Sequence, residues 1–184
     1  MQVEPRKLRD DLVIRGAVRE DAHAIARILK EGADDGLVSR VDEVDAAAVS
    51  RQIEFARAMS NSLYVVAAVP QADDDEVIGL LLLEGQPLMR LHDVARLTMA
   101  VARQHRDRGV GRAMMRYALE VADRSGQIRK IELLTRANNE TAIHLYSSLG
   151  FAEEGRLRAR LRLEDGSYLD DVCMARFKPH AAAE

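Results

Sequence analysis

The segment from Val101 to Arg112 reads VARQHRDRGVGR, and it carries more recognisable chemistry than any other stretch of the chain. Gly109 and Gly111 lead into a helical stripe of Ala113, Met114, Tyr117, Ala118 and Val121. Glycine lets the backbone come close to a ligand, and first-turn helix amides have no internal partner. With the positive end of the helix dipole, such amides form an anion site. Arg106, Arg108 and Arg112 add cations around it. The pattern predicts a bound phosphate or pyrophosphate. The plainer alternative is a glycine turn fringed by solvated arginines, and spacing alone does not separate the two. No Gly-Lys-Ser/Thr follows, and the three-glycine dinucleotide fingerprint is absent.

A second feature lies downstream. Asn139 and Tyr146 are separated by two helical turns, so a helix places them on one face. A tyrosine with an ordinary pKa of about 10 is protonated at neutral pH and can deliver a proton. Packing against the nearby Phe151 is the simpler role for it. Cys173 has no histidine nearby in sequence and reads as a buried small hydrophobe, not a nucleophile. Five scattered histidines and one cysteine give no metal-ligand spacing, so no metal is expected.

The elements that must position these residues follow from periodicity. Leu12 to Arg15 reads as a strand, and Ala22, Ile25, Ala26, Ile28 and Leu29 as a helix ended by Gly32 to Gly36. A second helix is predicted from about Val44 to Met59. Leu63 to Val69 and Val77 to Leu83 form a hairpin around a polar turn. Arg96 to Ala102 is a strand feeding the glycine loop and its helix, which stops near Ser125-Gly126. Ile128 to Thr135 is a strand, and a helix from about Asn138 ends at Gly150 as a left-handed cap. Phe151 to Leu163 and Ser167 to Phe177 flank Asp165-Gly166 as a closing hairpin. This order makes an α/β mixed sheet with helices packed on it.

Composition excludes several classes. A chain of 184 residues fits one domain, 1–184, with an ordered core of about 12–177 and loose ends. Net charge −3 argues against a general nucleic-acid binder. The lone cysteine suits a reducing compartment, and the charged first eleven residues lack the apolar core of a signal peptide. The longest aliphatic run, Leu80 to Leu83, is too short to span a bilayer. The expected location is cytoplasmic, with no membrane partner.

Val101-x-x-x-x-Arg106-x-x-Gly109-x-Gly111 resembles the acetyl-CoA-binding signature of the GNAT superfamily of N-acetyltransferases. Asn139-x-x-Ala142-x-x-Leu145-Tyr146, followed by Leu149-Gly150-Phe151, is similar to that family's late helix and the strand after it. The resemblance implies the acyl-CoA N-acyltransferase fold, a mixed, mostly antiparallel twisted sheet flanked by helices. It implies acetyl-CoA as cosubstrate, with the strand edge at Met99, Ala100 and Val101 pairing with the pantetheine amides. The backbone of Arg106, Asp107, Arg108, Gly109, Val110, Gly111 and Arg112 would hold the pyrophosphate. Asn139 would contact the pantetheine arm, and Tyr146 would be the general acid toward the CoA thiolate. Asp107 stands where many relatives have glycine, and Arg103 where many have proline. Aspartate tolerates unusual backbone angles, but its carboxylate would repel a pyrophosphate.

Aminolysis of a thioester needs a neutral amine, hence a base or a favourable amine pKa. The candidates are Glu84 at a strand end and His92 or Asp93 before the next strand; a base acting through water would leave no trace. By resemblance, Glu31 to Ser62 covers the acceptor pocket, where Asp34, Asp35, Asp42, Glu43 and Asp45 either attract a cationic amine or form a solvated face. Tyr168, Asp170 and Asp171 are further candidates to reach it. Arg156, Arg158, Arg160 and Arg162 alternate with apolar residues, which puts all four on one strand face and suits protection of a sheet edge. The expected activity is direct acetyl transfer to a primary amine of a small molecule or amino acid. The alternatives are a protein N-terminal or side-chain acetyltransferase, with a peptide amine as acceptor, a CoA-binding protein without turnover, and an interaction protein using the arginine face to dock an acidic protein or RNA. Family habit makes a homodimer the expected assembly.

Overall fold

The computed structural model describes residues 1–184 except 2, 10, 11, 37–44, 73, 74, 164 and 179–184, and leaves out the side chains of Leu8 and Arg9. Asp42, Glu43, Val44 and the expected C-terminal tail therefore lie outside the described residues. The elements in chain order are β1 (Arg6–Arg9), β2 (Leu12–Gly16), α1 (Ala22–Asp34), α2 (Ala46–Ala58), β3 (Leu63–Val69), β4 (Glu76–Gly85) and β5 (Val94–Val101). They continue with α3 (Val110–Ser125), β6 (Lys130–Arg136), α4 (Glu140–Ser147), β7 (Ala152–Arg162) and β8 (Tyr168–Phe177).

The strands form one sheet in the order β1-β2-β3-β4-β5-β6-β8-β7. Every neighbouring pair is antiparallel except β5 and β6, which are joined through α3. The hydrophobic pattern explains the layering. α1 turns Ile25, Ile28 and Leu29 onto one sheet face, where they and α2 meet Tyr64, Val66, Leu80 and Leu82. On the other face α3 lays Met114, Met115, Tyr117 and Ala118 against Val65, Leu81 and Leu83. β3 and β4 are covered on both faces, so their sequences run apolar without alternation, whereas a one-sided strand alternates.

The expected elements are present with small shifts of their ends. Asp45 caps α2 by accepting from the Ala48 amide at 2.6 Å. Gly126, Gly150 and Gly166 have φ of 68°, 88° and 83°, where left-handed backbone favours glycine. Sequence periodicity missed β1. Arg6, Lys7 and Arg9 pair with β2, and Arg6 binds Glu120 of α3 at 2.6 and 2.9 Å while stacking 5.2 Å over the Tyr117 ring. A polar edge strand held by side chains from a distant helix has no periodic signature. Cys173 is half-buried, not fully buried, because α1 and α2 stop short of that part of the sheet.

The arginine strand departs from its simple period. Pairing of β7 with β8 slips between Leu157 and Leu161, and Ala159 adopts φ 49° within the slip, its amide donating to Asp170 at 2.8 Å. Two-residue alternation is broken there, so the four arginines do not share one regular face. Arg156 is held by Glu153 at 2.9 Å.

One polar contact in the sheet is fully enclosed. Arg136 of β6 and Asp171 of β8 are register partners, their side chains 4% and 2% exposed and 2.6 Å apart. Removing one member of such a pair leaves a buried charge without a partner, at a cost of about 3–5 kcal/mol. Asp171→Ala should lower unfolding free energy by that amount in urea titration. A loss of less than about 1 kcal/mol would mean water reaches Arg136.

Candidate active site

The parallel pairing of β5 and β6 spans only Val94–Arg96 against Lys130–Glu132. Beyond it β5 continues beside β4 as far as Val101, and β6 continues beside β8 as far as Arg136. The two strands therefore part, and between them opens a cleft of about 1450 Å³. Met99, Ala100 and Val101 line it from β5, and Thr135, Asn139, Leu145 and Tyr146 from the opposite side. A strand with one unpaired edge presents backbone N–H and C=O groups to whatever fills the gap.

The start of α3 closes one end of the cleft. Gly109 is the N-cap residue with φ 79°, and the first helical hydrogen bond runs from the Ala113 amide to the Gly109 carbonyl at 3.0 Å. The amides of Val110, Gly111 and Arg112 thus have no helical acceptor, and all three residues line the cleft. Asp107 also adopts left-handed backbone, φ 59°, at the position where glycine was the expected residue. A Cβ on Gly111 would lie 3.4 Å from the Met99 Cε and 3.8 Å from the Leu145 Cδ2. A methyl there would make only ordinary contacts, whereas a larger side chain would fill the space between β5 and α4.

The arginines divide. Arg106 is half-buried, donating from Nε to the Val101 carbonyl at 3.0 Å and from Nη1 to Asp35 at 2.6 Å. Arg103 donates to the same carboxylate at 3.2 and 2.5 Å, and together they hold it below the usual aspartate range. Arg106 is accordingly a latch between α1 and the end of β5. Arg112 reaches Ser148 at 3.0 Å. Arg108 is exposed and lines a separate recess with Arg6, Arg116 and Tyr117.

Asn139 caps α4, its Oδ1 accepting from the Ala142 amide at 3.1 Å. Its Nδ2 is free of partners among the described residues. Tyr146 lies seven residues on and shares the cleft with it. Tyr146 as a residue is 7% exposed and its ring sits 5.8 Å from the Phe151 ring, so the packing and cleft-lining roles coexist. Burial pushes its pKa up to about 12. It is therefore a neutral phenol throughout the physiological range.

Of the candidate bases, Glu84 lines the cleft. His92 is exposed with Nδ1 2.8 Å from the Met89 carbonyl, and Asp93 is paired with Arg129 at 2.7 Å; neither borders the cleft. Asp34, Asp35, Asp45, Tyr168, Asp170 and Asp171 do not line it either. Cleft residues that escaped sequence reading include Tyr64, Arg96 and Thr98. Tyr64 is hidden inside an apolar strand, and burial, with Asp21 and Glu84, raises its pKa. Arg96 did leave a signal, the lone charge of its strand, between Ala95 and Leu97. Among the described residues there is no cluster of three or more potential metal ligands, and no helix is long and apolar enough to cross a membrane.

Comparison with known proteins gives a consistent picture. The chain is 34% identical over 105 residues to the L-amino acid N-acetyltransferase AaaT of Escherichia coli, covering 57% of this chain and 64% of that relative. It is 33% identical over 67 residues to a spermidine N(1)-acetyltransferase of Vibrio cholerae, covering 36% of this chain and 39% of that protein. The matches thus span less than two thirds of either relative. The structure of yncA from Salmonella typhimurium, solved with its cofactor acetyl-CoA, superposes with a TM-score of 0.80 at 20% identity, covering 95% of this chain and 98% of that one. A likeness at that identity establishes the fold. Residues 25–151 match the sequence model of the acetyltransferase (GNAT) family, and since that is well over half of the chain, the protein belongs to the GNAT acetyltransferase family.

Proposed function

We propose that this chain, acting as a single domain in the cytosol, transfers the acetyl group of acetyl-CoA directly to a primary amine of an amino acid or other small molecule. The observation that carries the reading is the coincidence in one cleft of an unpaired strand edge, partnerless helix amides and a buried phenol. Each matches one part of the cosubstrate. The Val110–Arg112 amides suit the pyrophosphate, the Met99–Ala100 edge suits the pantetheine amides, and Tyr146 suits the sulfur. The relatives' acceptors, an L-amino acid and spermidine, are both primary amines.

The arriving ammonium loses a proton to Glu84, directly or through water. The neutral nitrogen attacks the thioester carbonyl, the C–N bond forms, and the C–S bond breaks as Tyr146 gives its hydroxyl proton to sulfur. Of the two protons the ammonium sheds, one leaves to solvent by way of Glu84 and the other balances the proton given by Tyr146. A phenol near pKa 12 is a weaker acid than a thiol of about 8.5 in water. The dry surroundings that raise the phenol also raise the basicity of a thiolate expelled there, which narrows the mismatch. Holding both reactants in one cleft supplies much of the acceleration.

Three measurements test the reading. Calorimetric titration should show acetyl-CoA binding in preference to ATP and NAD, and Gly111→Leu, which fills the gap between Met99 and Leu145, should abolish it. No binding by the native chain would move the arginine-rich strand to first place as the functional surface. Tyr146→Phe should cut kcat by about 100-fold or more while leaving acetyl-CoA affinity nearly unchanged; unchanged turnover removes Tyr146 from the mechanism. Asn139→Ala should cost about 1 kcal/mol of stability through the lost cap. Asn139→Asp keeps the capping oxygen, so it should retain stability yet weaken acetyl-CoA binding; undiminished binding would confine Asn139 to capping.

A further inference from the structure

Along with Tyr64 and Thr98, the cleft is lined by two opposite charges, the half-buried Glu84 and the exposed Arg96. Glu84 of β4 and Arg96 of β5 are directly opposed register partners, and both line the cleft. Residues opposed in this way project on the same sheet face with Cβ atoms about 4.5–5.5 Å apart. Among the described residues, neither side chain makes a hydrogen bond or ion pair. The other register partner of Arg96 is Glu132, whose carboxylate faces Lys130 at 3.8 Å. Lys130 in turn binds Glu154 at 2.8 Å. Glu132 makes no ion pair with Arg96 among the described residues, and the Arg96 guanidinium is open to the cleft.

Charges of opposite sign, side by side in a cleft and unpaired with other described side chains, fit a ligand that carries both signs at short separation. Around them the cleft is apolar, with Leu29, Val49, Leu80 and Leu82 among its walls. We propose that the acceptor is a zwitterionic α-amino acid, its carboxylate gripped by Arg96 and its ammonium received by Glu84. This rests on the acetyl-transfer reading above and selects the acceptor class for it. The planar guanidinium suits two-point binding of a carboxylate. The same cation repels a polyamine, whose charges are all positive. Arg96 is then a specificity residue, fixing which end of the acceptor faces Glu84 and the thioester.

The test is steady-state acetylation of the common L-amino acids, their methyl esters, and spermidine. The readout is thiol release, with acetyl-CoA binding measured separately by calorimetry. Esterification lowers the basicity of the neighbouring amine and leaves more of it neutral, so a preference for the free acid cannot come from reactivity. The expected result is a kcat/KM for at least one free amino acid roughly 10- to 100-fold above that for its ester, the range a charge-assisted hydrogen bond supplies. Arg96→Gln should collapse that ratio toward one by raising KM for the acid. Esters or spermidine used as well as the free acids would overturn the proposal and leave acetyl transfer standing. So would acetyl-CoA binding with no amino acid acetylated, or an acid-to-ester ratio untouched by Arg96→Gln. Failure to bind acetyl-CoA would sink the acetyl-transfer reading and this proposal with it.

Discussion

Two neighbouring parallel strands stay together for three register pairs and then separate, and almost everything about the site depends on that parting. Each strand is tied to its own half of the molecule. β5 is held by β4 along its length, by the Ala102 amide donating to the Ile78 carbonyl at 2.9 Å, and by the Arg106–Asp35 latch to α1. β6 is held by β8 and by the enclosed Arg136–Asp171 pair. Closing the gap would mean breaking one set of these contacts, so the opening is preformed. A preformed cleft spares a ligand the cost of ordering its own site.

The parting also decides where helix ends fall. α3 crosses from the far end of β5 back to the start of β6, so its N-terminus lies at the mouth of the gap with its first amides free. α4 follows β6 directly and sets Asn139 and Tyr146 on the opposing wall. Backbone groups on one side and side chains on the other thus meet across a space that neither strand fills. Tyr146 shows how packing and chemistry combine: the burial that seats its ring against Phe151 is the burial that keeps its proton on.

Charge is distributed by the same logic. Most charged pairs lie at the surface and contribute little individually to stability. The enclosed Arg136–Asp171 pair is different, because each partner depends on the other to be tolerated inside. Arg106, read as a phosphate cation, instead spends its charge on Asp35, bracing the loop whose backbone faces the cleft. Among the cations that the fold exposes around the site, Arg96 in the cleft and Arg108 beside it make no ion pair with a described residue.

The sequence by itself determined the elements and the local geometry of the binding loop. Periodicity placed the helices and the buried hairpin, Gly109 and Gly111 marked the bare helix start, and the spacing of Asn139 and Tyr146 put them on one helix face. These are properties of residues near each other in the chain, where backbone sterics and helical spacing act directly. The tertiary structure alone decided which candidates meet. Glu84 borders the cleft while His92 does not, Arg106 turns to Asp35, 71 positions back in the chain, and Arg96 finds itself beside Glu84 with no ion pair among the described residues. It also decided that β1 adds an edge and that β7 bulges at Ala159. Strand register, burial and ion pairing join residues far apart in sequence, and only the assembled sheet brings their charges within reach of one another.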